Sequence, residues 1–346
     1  AALAHGRASM PDITFFTADM NCLCSRKLPE ATSPISDPSD PQQVLSGLTI
    51  APANGGLGPA PGLVSSNGTH YRLEGPGDGA LTVLVNGVGD FSYRWERMAP
   101  QLIAAGRRVL RYDQFGKGWS KAPRGFRYDV NAHDAQLRAL INELGLGDQP
   151  LTLIAHSMGA IVAAVYATRR PESVRELILL APAGAMASPF PAFGAAQWLA
   201  NGIMPLVAWA TDGPPPAGNA PGAVGDYVGE HASTYHHEWD ARWITASRRA
   251  NTNRAFAASV ARMPLTSLSG VLRAERRDGL SSMFLRVLLL SAKEDAIVRQ
   301  IDERVWRQAF STAAEFEVKR SLEGGHGFHI EREEATRIIL DFLDRS

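Results

Sequence analysis

The sequence predicts an α/β protein whose central sheet is mostly parallel and carries helices on both faces. Three observations carry this. Short apolar runs without alternation, Leu81–Val85 (LTVLV), Leu151–Ala155 (LTLIA), Val174–Leu180 (VRELILL) and Val287–Leu290 (VLLL), suit strands buried on both faces. Stretches of helical period separate them, and a strand–helix–strand succession needs crossovers, which parallel sheets supply. The stretch Leu151–Gly159 (LTLIAHSMG) turns from strand to helix with no linker, running on into AIVAAVYATRR.

In chain order, Thr69–Glu74 and Leu81–Val85 flank the turn residues Gly75-Pro76-Gly77-Asp78-Gly79, so a hairpin is expected. Ser92–Ala105 reads as a helix stopped by Gly106, and Arg108–Tyr112 as the next strand. Asp129–Leu144 carries apolar residues at 137, 140, 141 and 144, a helical stripe ended by Gly145. His133 and Asp134 near its start are expected to be solvated. After strand 151–155, helix 158–170 and strand 174–180, the alternation stops until strand 287–290. Helix Arg299–Phe310, strand Glu315–Lys319 and the amphipathic helix Glu331–Leu343 complete the pattern. The domain plan is an N-terminal extension (1–60), a core from 61–183 and 286–346, and a helical cap or lid insertion (184–285).

The chemistry is centred on Ser157. A Ser at a strand-to-helix corner, written G-x-S-x-G, is a nucleophile elbow. The corner residue sits in a strained backbone that exposes its hydroxyl, and the residues two before and two after must be small where strand and helix converge. Here they are Ala155 and Gly159. On these residues the sequence resembles the α/β-hydrolase superfamily, in its serine esterase and lipase branch of monoacylglycerol-lipase type. Some small bacterial lipases carry the same Ala-His-Ser-Met-Gly. The resemblance covers about residues 65–183 and 286–346.

The loop Asn86-Gly87-Val88-Gly89-Asp90 after the second strand opens like a dinucleotide fingerprint, but its third glycine position is Ser92. It is better compared with the superfamily's His-Gly loop, with Asn86 in place of the His. The resemblance implies backbone oxyanion donors on Val88 and on Met158, the residue after the nucleophile. Asp113-Gln114-Phe115-Gly116-Lys117-Gly118-Trp119-Ser120 looks like the D-x-x-G-x-G-x-S loop, whose Asp and Ser hold the loop together. Superfamily members place the acid of a triad after the strand that 287–290 matches, so the resemblance implies Asp295, with Glu294 as the neighbouring alternative. His326, flanked by glycines at 324, 325 and 327, is the expected base. The order Ser157, Asp295, His326 is that of the fold.

From Leu177 through Thr211 the insertion has no charged residue, and Phe190, Phe193, Trp198 and Trp209 recur along it. Pro182, Pro189, Pro191 and Pro205 break it into short pieces, which argues against a membrane span. A cap fixed on the core is the first reading. The second is a mobile lid that transiently contacts lipid or an apolar substrate. Trp198, Trp209 and Asn86 are candidate substrate contacts. His236 and Asp240 have i, i+4 spacing but no identifiable third ligand, so no metal is expected.

Lys+Arg and Asp+Glu balance at 35 each, which gives no electrostatic reason for a nucleic-acid partner. Cys22 and Cys24, one residue apart, are too close for an ordinary disulfide and leave the compartment open. Residues 1–60, rich in Pro, Ser, Ala and Gly, are expected to be an extension wrapping the surface or disordered, in preference to a trimmed targeting segment. No stretch reads as a transmembrane helix; Leu151–Thr168 is interrupted by His156, Ser157 and Gly159. The resulting expectation is a cofactor-independent serine hydrolase acting on a small, apolar carboxylic ester. A carbon–carbon bond hydrolase of the same fold, or a binding protein without turnover, are the alternatives. The oligomeric state is left open.

Overall fold

The computed structural model describes residues 61–123, 125–185, 252–265, 267–275, 284–295, 297–298 and 301–345. The expectations for residues 1–60, for Trp198 and Trp209, and for His236 and Asp240 lie outside them. Eight strands form one sheet: β1 (Leu63–Val64), β2 (His70–Glu74), β3 (Leu81–Val85), β4 (Arg108–Tyr112), β5 (Leu151–His156), β6 (Val174–Leu180), β7 (Arg286–Ala292) and β8 (Glu315–Leu322). Their order is β1-β2-β4-β3-β5-β6-β7-β8, antiparallel at β1/β2 and β2/β4 and parallel from β4 onward.

The apolar runs are continuous because both faces of the sheet are covered. Val83, Val85, Leu153, Leu177 and Leu289 face one cluster of buried side chains. Leu84, Ile154, Ile178, Leu288 and Leu290 face the other. This is the two-residue period of a strand with apolar side chains at both phases. α1 (Met98–Ala104) and α8 (Glu333–Leu343) cover the second face. α2 (Val130–Glu143) and α3 (Met158–Arg169) cover the first. Two helices from the 184–285 interval are described, α4 (Thr252–Arg262) and α5 (Leu268–Glu275). Ala255 and Ala258 of α4 pack with Phe115 and Tyr128. Leu268 and Leu272 of α5 join the first core. Phe256 of α4 is 42% exposed. α6 (Glu303–Ala309) and the short α7 (Phe328–Glu331) are the other helices among the described residues. No helix among the described residues is long and apolar enough to cross a membrane.

Several local expectations change. β2 and β3 are not a hairpin: β4 lies between them, and β2 pairs with β4 through Tyr71↔Tyr112 to Glu74↔Val109. The crossover from β3 returns β4 to the β2 side, a long-range outcome that the turn residues at 75–79 do not encode. The expected helix 92–105 is split into a 3₁₀ turn, Ser92–Trp95, and α1. The last expected helix is likewise interrupted at Arg332, which is extended at φ −104°, ψ 117°. His133 and Asp134 are buried, not solvated. Asp134 receives Arg169 and Arg170 at 2.8 Å each, at the end of α3, so it ties α2 to α3.

Candidate active site

Ser157 stands between β5 and α3 with φ 52° and ψ −121°, where a non-glycine residue costs on the order of 1–3 kcal/mol. The neighbours hold it there. Its N–H donates to the Leu180 carbonyl at 2.9 Å, and its own carbonyl accepts from Ala160 (3.0 Å) and Ala183 (3.2 Å). The small residues have separate duties. A Cβ on Gly159 would lie 2.5 Å from the carbonyl oxygens of both Val85 and Asn86, so no side chain fits. Ala155 keeps its methyl, which is buried in the core. Met158 begins α3, and the first N–H groups of a helix have no partner within it.

Asp295 follows β7 and His326 follows β8, at the same sheet end as Ser157. His326 Nδ1 lies 2.9 Å from Asp295 Oδ2. Asp295 Oδ1 accepts the N–H groups of Ile297 (2.9 Å) and Val298 (2.7 Å). Burial opposes ionisation of Asp295, but the His326 ring and these donors outweigh it and hold the carboxyl below its usual range. Of the two candidate acids, Asp295 meets His326. The Glu294 backbone N–H donates to the Gly324 carbonyl at 3.1 Å, tying the acid's loop to the glycines before His326.

His156 is a part of the site that the sequence reading passed over. Its Nε2 lies 2.8 Å from the His326 carbonyl oxygen, which can only accept, so that nitrogen carries a proton. The two rings are 4.6 Å apart, and the buried Asp90–Arg94 ion pair lies behind, with Asp90 3.6 Å from His156 Nδ1. Burial, then the Arg94 charge, lowers the His156 pKa to about 3, so the ring is neutral at pH 7. A His beside the corner serine has no local sequence signature of this contact; only the position of residue 326 reveals it.

Asn86, expected among the substrate contacts, is fully buried, and both ends of its amide are used inside the fold. Its Nδ2 donates to the Tyr112 carbonyl, and its Oδ1 accepts the Trp95 indole N–H, both at 2.6 Å. It is a brace between β3, β4 and the 3₁₀ turn and not a substrate contact. The next residue, Gly87, lies against Ser157: a Cβ there would be 3.3 Å from Ser157 Cβ and 3.1 Å from His156 Nδ1. Val88 follows, partly buried against the core.

A second His–Asp pair supports the scaffold. Asp113 takes His70 Nδ1 at 2.9 Å and the N–H groups of Ser92 (2.6 Å) and Trp119 (2.8 Å). The Ser120 hydroxyl donates to the Asp113 carbonyl at 2.6 Å and accepts the His70 N–H at 2.8 Å. The Asp and Ser of this loop therefore hold it together, as the sequence implied. Among the described residues, no group of three or more His, Cys, Asp or Glu side chains is arranged to hold a metal ion.

Comparison with known proteins agrees with this fold. Over 120 residues the chain is 33% identical to the AB hydrolase superfamily protein YfhM of Bacillus subtilis, covering 34% of this chain and 41% of that one. It is 30% identical over 125 residues to a 2-hydroxy-6-oxo-2,4-heptadienoate hydrolase of Pseudomonas putida, covering 35% and 44%. The chain thus spans less than half the length of these relatives. The enol-lactonase of Burkholderia xenovorans LB400 superposes with a TM-score of 0.60 over 80% of this chain and 96% of its own, at 21% identity, a likeness of fold. The family model for the alpha/beta hydrolase fold matches residues 82–333, a span that includes β3 to β8, Ser157, Asp295 and His326. The chain belongs to the α/β-hydrolase fold family.

Proposed function

We propose that this chain is a serine hydrolase that cleaves a carboxylic ester through an acyl-enzyme on Ser157. The observation that carries the reading is the strained serine at the β5–α3 corner, with a buried His326–Asp295 pair supplied by later strands of the same sheet end. With Nδ1–H donated to Asp295, the His326 Nε2 lone pair is the base that takes the Ser157 proton. Ser157 Oγ attacks the ester carbonyl, and the backbone N–H groups of Met158 and Val88 receive the developing oxyanion, each worth ~3 kcal/mol. His326 returns the proton to the leaving alcohol. Water, activated by the same ring, then releases the acid. The apolar run Leu177–Thr211 favours an apolar acyl or alcohol group, with Trp198 and Trp209 as proposed contacts and a lipid surface as a transient partner.

Carbon–carbon bond hydrolysis is the second reading, favoured by the Pseudomonas putida relative of that kind. The same triad would serve a vinylogous diketone. A panel of p-nitrophenyl esters from short to long chain, run beside one such diketone, separates the two. Ester turnover is expected. Diketone cleavage with inert esters would transfer the assignment to the second reading, and no turnover of either would favour a binding protein.

A further inference from the structure

We infer that Lys117 is a positioning residue for the oxyanion donor on Val88, holding the carbonyl end of the Gly87–Val88 peptide from behind. The inference rests on the reading of Ser157 as nucleophile and deepens it. Lys117 lies between Gly116 and Gly118 in the loop after β4, and it is 3% exposed. The loop turns tightly there: Gly118 has φ +50°, and a Cβ on it would lie 2.2 Å from Asp113 Oδ2. That turn sends the lysine inward. Its Nζ donates to the Gly87 carbonyl oxygen at 3.0 Å and to Gln114 Oε1.

The Gly87 carbonyl and the Val88 N–H belong to one peptide unit. A trans peptide is planar with its C=O and N–H pointing opposite ways, so an anchor on the oxygen fixes the direction of the N–H. A donor on the oxygen also polarises the unit and strengthens its N–H, by about 10–30% per bond in chains of hydrogen bonds. The same loop reaches the preceding peptide, since Gln114 Nε2 donates to the Asn86 carbonyl at 3.4 Å. A buried ammonium is a costly way to fill space, and an apolar side chain of similar length would serve packing better. Burial lowers the Lys117 pKa to about 7, against the pull of Asp90 on the oxyanion loop and Asp113 at the end of β4. His133 faces it from α2 and stays neutral, its pKa pushed well down by burial and then by the lysine.

The test compares wild type, Lys117→Met, which removes donor and charge, and Lys117→Gln, which keeps a neutral donor. Wild-type turnover of a p-nitrophenyl ester, lost in Ser157→Ala, must first be seen; its absence overturns the nucleophile reading and this inference with it. Given that turnover, Lys117→Met should lower kcat about 10–100-fold, short of the 10²–10³ for deleting an oxyanion donor outright. KM should stay within about twofold, and melting should fall only by the few degrees that two lost hydrogen bonds explain, too little to account for the loss of kcat. Lys117→Gln should lie between. A trifluoromethyl ketone, which forms the oxyanion on the enzyme, should weaken by the same factor as kcat/KM. If Lys117→Met does not fold, Lys117→Gln decides by the same readings. A kcat within about twofold of wild type, or losses that follow melting temperature while the ketone binds unchanged, would overturn the assignment.

Discussion

His70–Asp113 and His326–Asp295 are buried imidazole–carboxylate pairs with the same 2.9 Å separation, yet their surroundings give them different work. His70 has Asp113 on one ring nitrogen and the Pro61 carbonyl, at 2.8 Å, on the other. Both nitrogens face acceptors within the protein, and neither is left to take a proton from a hydroxyl. The nearby Ser120 hydroxyl is likewise engaged by the Asp113 carbonyl and the His70 N–H. His326 meets its carboxylate through Nδ1, and its backbone is held by His156, the residue beside a serine at φ 52°. A His–Asp pair with a serine nearby can therefore serve the scaffold alone. What distinguishes the candidate site is the strained corner at the sheet's carboxyl end.

The widest separation between the two regions should come from the serines. Ser157→Ala should lower ester turnover by at least ~10⁴-fold while leaving the fold intact, since the residual rate comes from binding and the oxyanion donors. The acids come next. Asp295→Asn should cut kcat by ~10³–10⁴-fold through the wrong tautomer of His326. Asp113→Asn should leave kcat within a few fold but lower stability by ~2–4 kcal/mol, because a buried partner is removed. Urea unfolding beside turnover reads both. If Glu294→Gln behaved as Asp295→Asn should, the acid would be misassigned by one position.

Acid should destabilise the protein before it neutralises Asp113 or Asp295. The pKa values of His133, His156 and His329 are lowered, in each case first by burial, then by Lys117, Arg94 and His156 respectively. A depressed pKa means that the unfolded chain takes up protons below about pH 6.5 that the native fold refuses. The stability these rings contribute is present above that pH and is lost as pH falls, by up to ~1.4 kcal/mol per pH unit for each. Asp113 and Asp295, whose pKa values are lowered, add their loss only below about pH 4. Melting temperature should therefore decline between pH 6.5 and 4.5; a flat profile there would show that the histidines are not held neutral. The smallest effect is expected at Ser120→Ala, ~1–2 kcal/mol of stability from two lost hydrogen bonds, with kcat unchanged.

Features set by neighbours in sequence were legible in the sequence. The elbow needs a strand, a turn and small flanks within nine residues, and Gly159, Ala155 and Ser157 state that need locally. Asp295 follows from its register after β7, and His326 from its glycines. Features set by distant partners were not legible. Asn86 looks like a loop residue until Trp95 and Tyr112 close on it. Asp134 looks solvated until Arg169 and Arg170 arrive from another helix. His156 and Lys117 bond to backbone carbonyls 170 and 30 residues away, and nothing in their own neighbourhood announces it. The β2–β4 pairing is of the same kind, since the turn at 75–79 is compatible with a hairpin and the crossover overrides it.

The central claim is that reactivity resides at the strained serine and not at the other serine beside a His–Asp pair. Labelling the intact protein with a fluorophosphonate and mapping the modified peptide by mass spectrometry tests it directly. A single label is expected on Ser157, absent in Ser157→Ala and greatly slowed in Asp295→Asn. Label on Ser120, or a fully labelled Ser157→Ala protein, would contradict it.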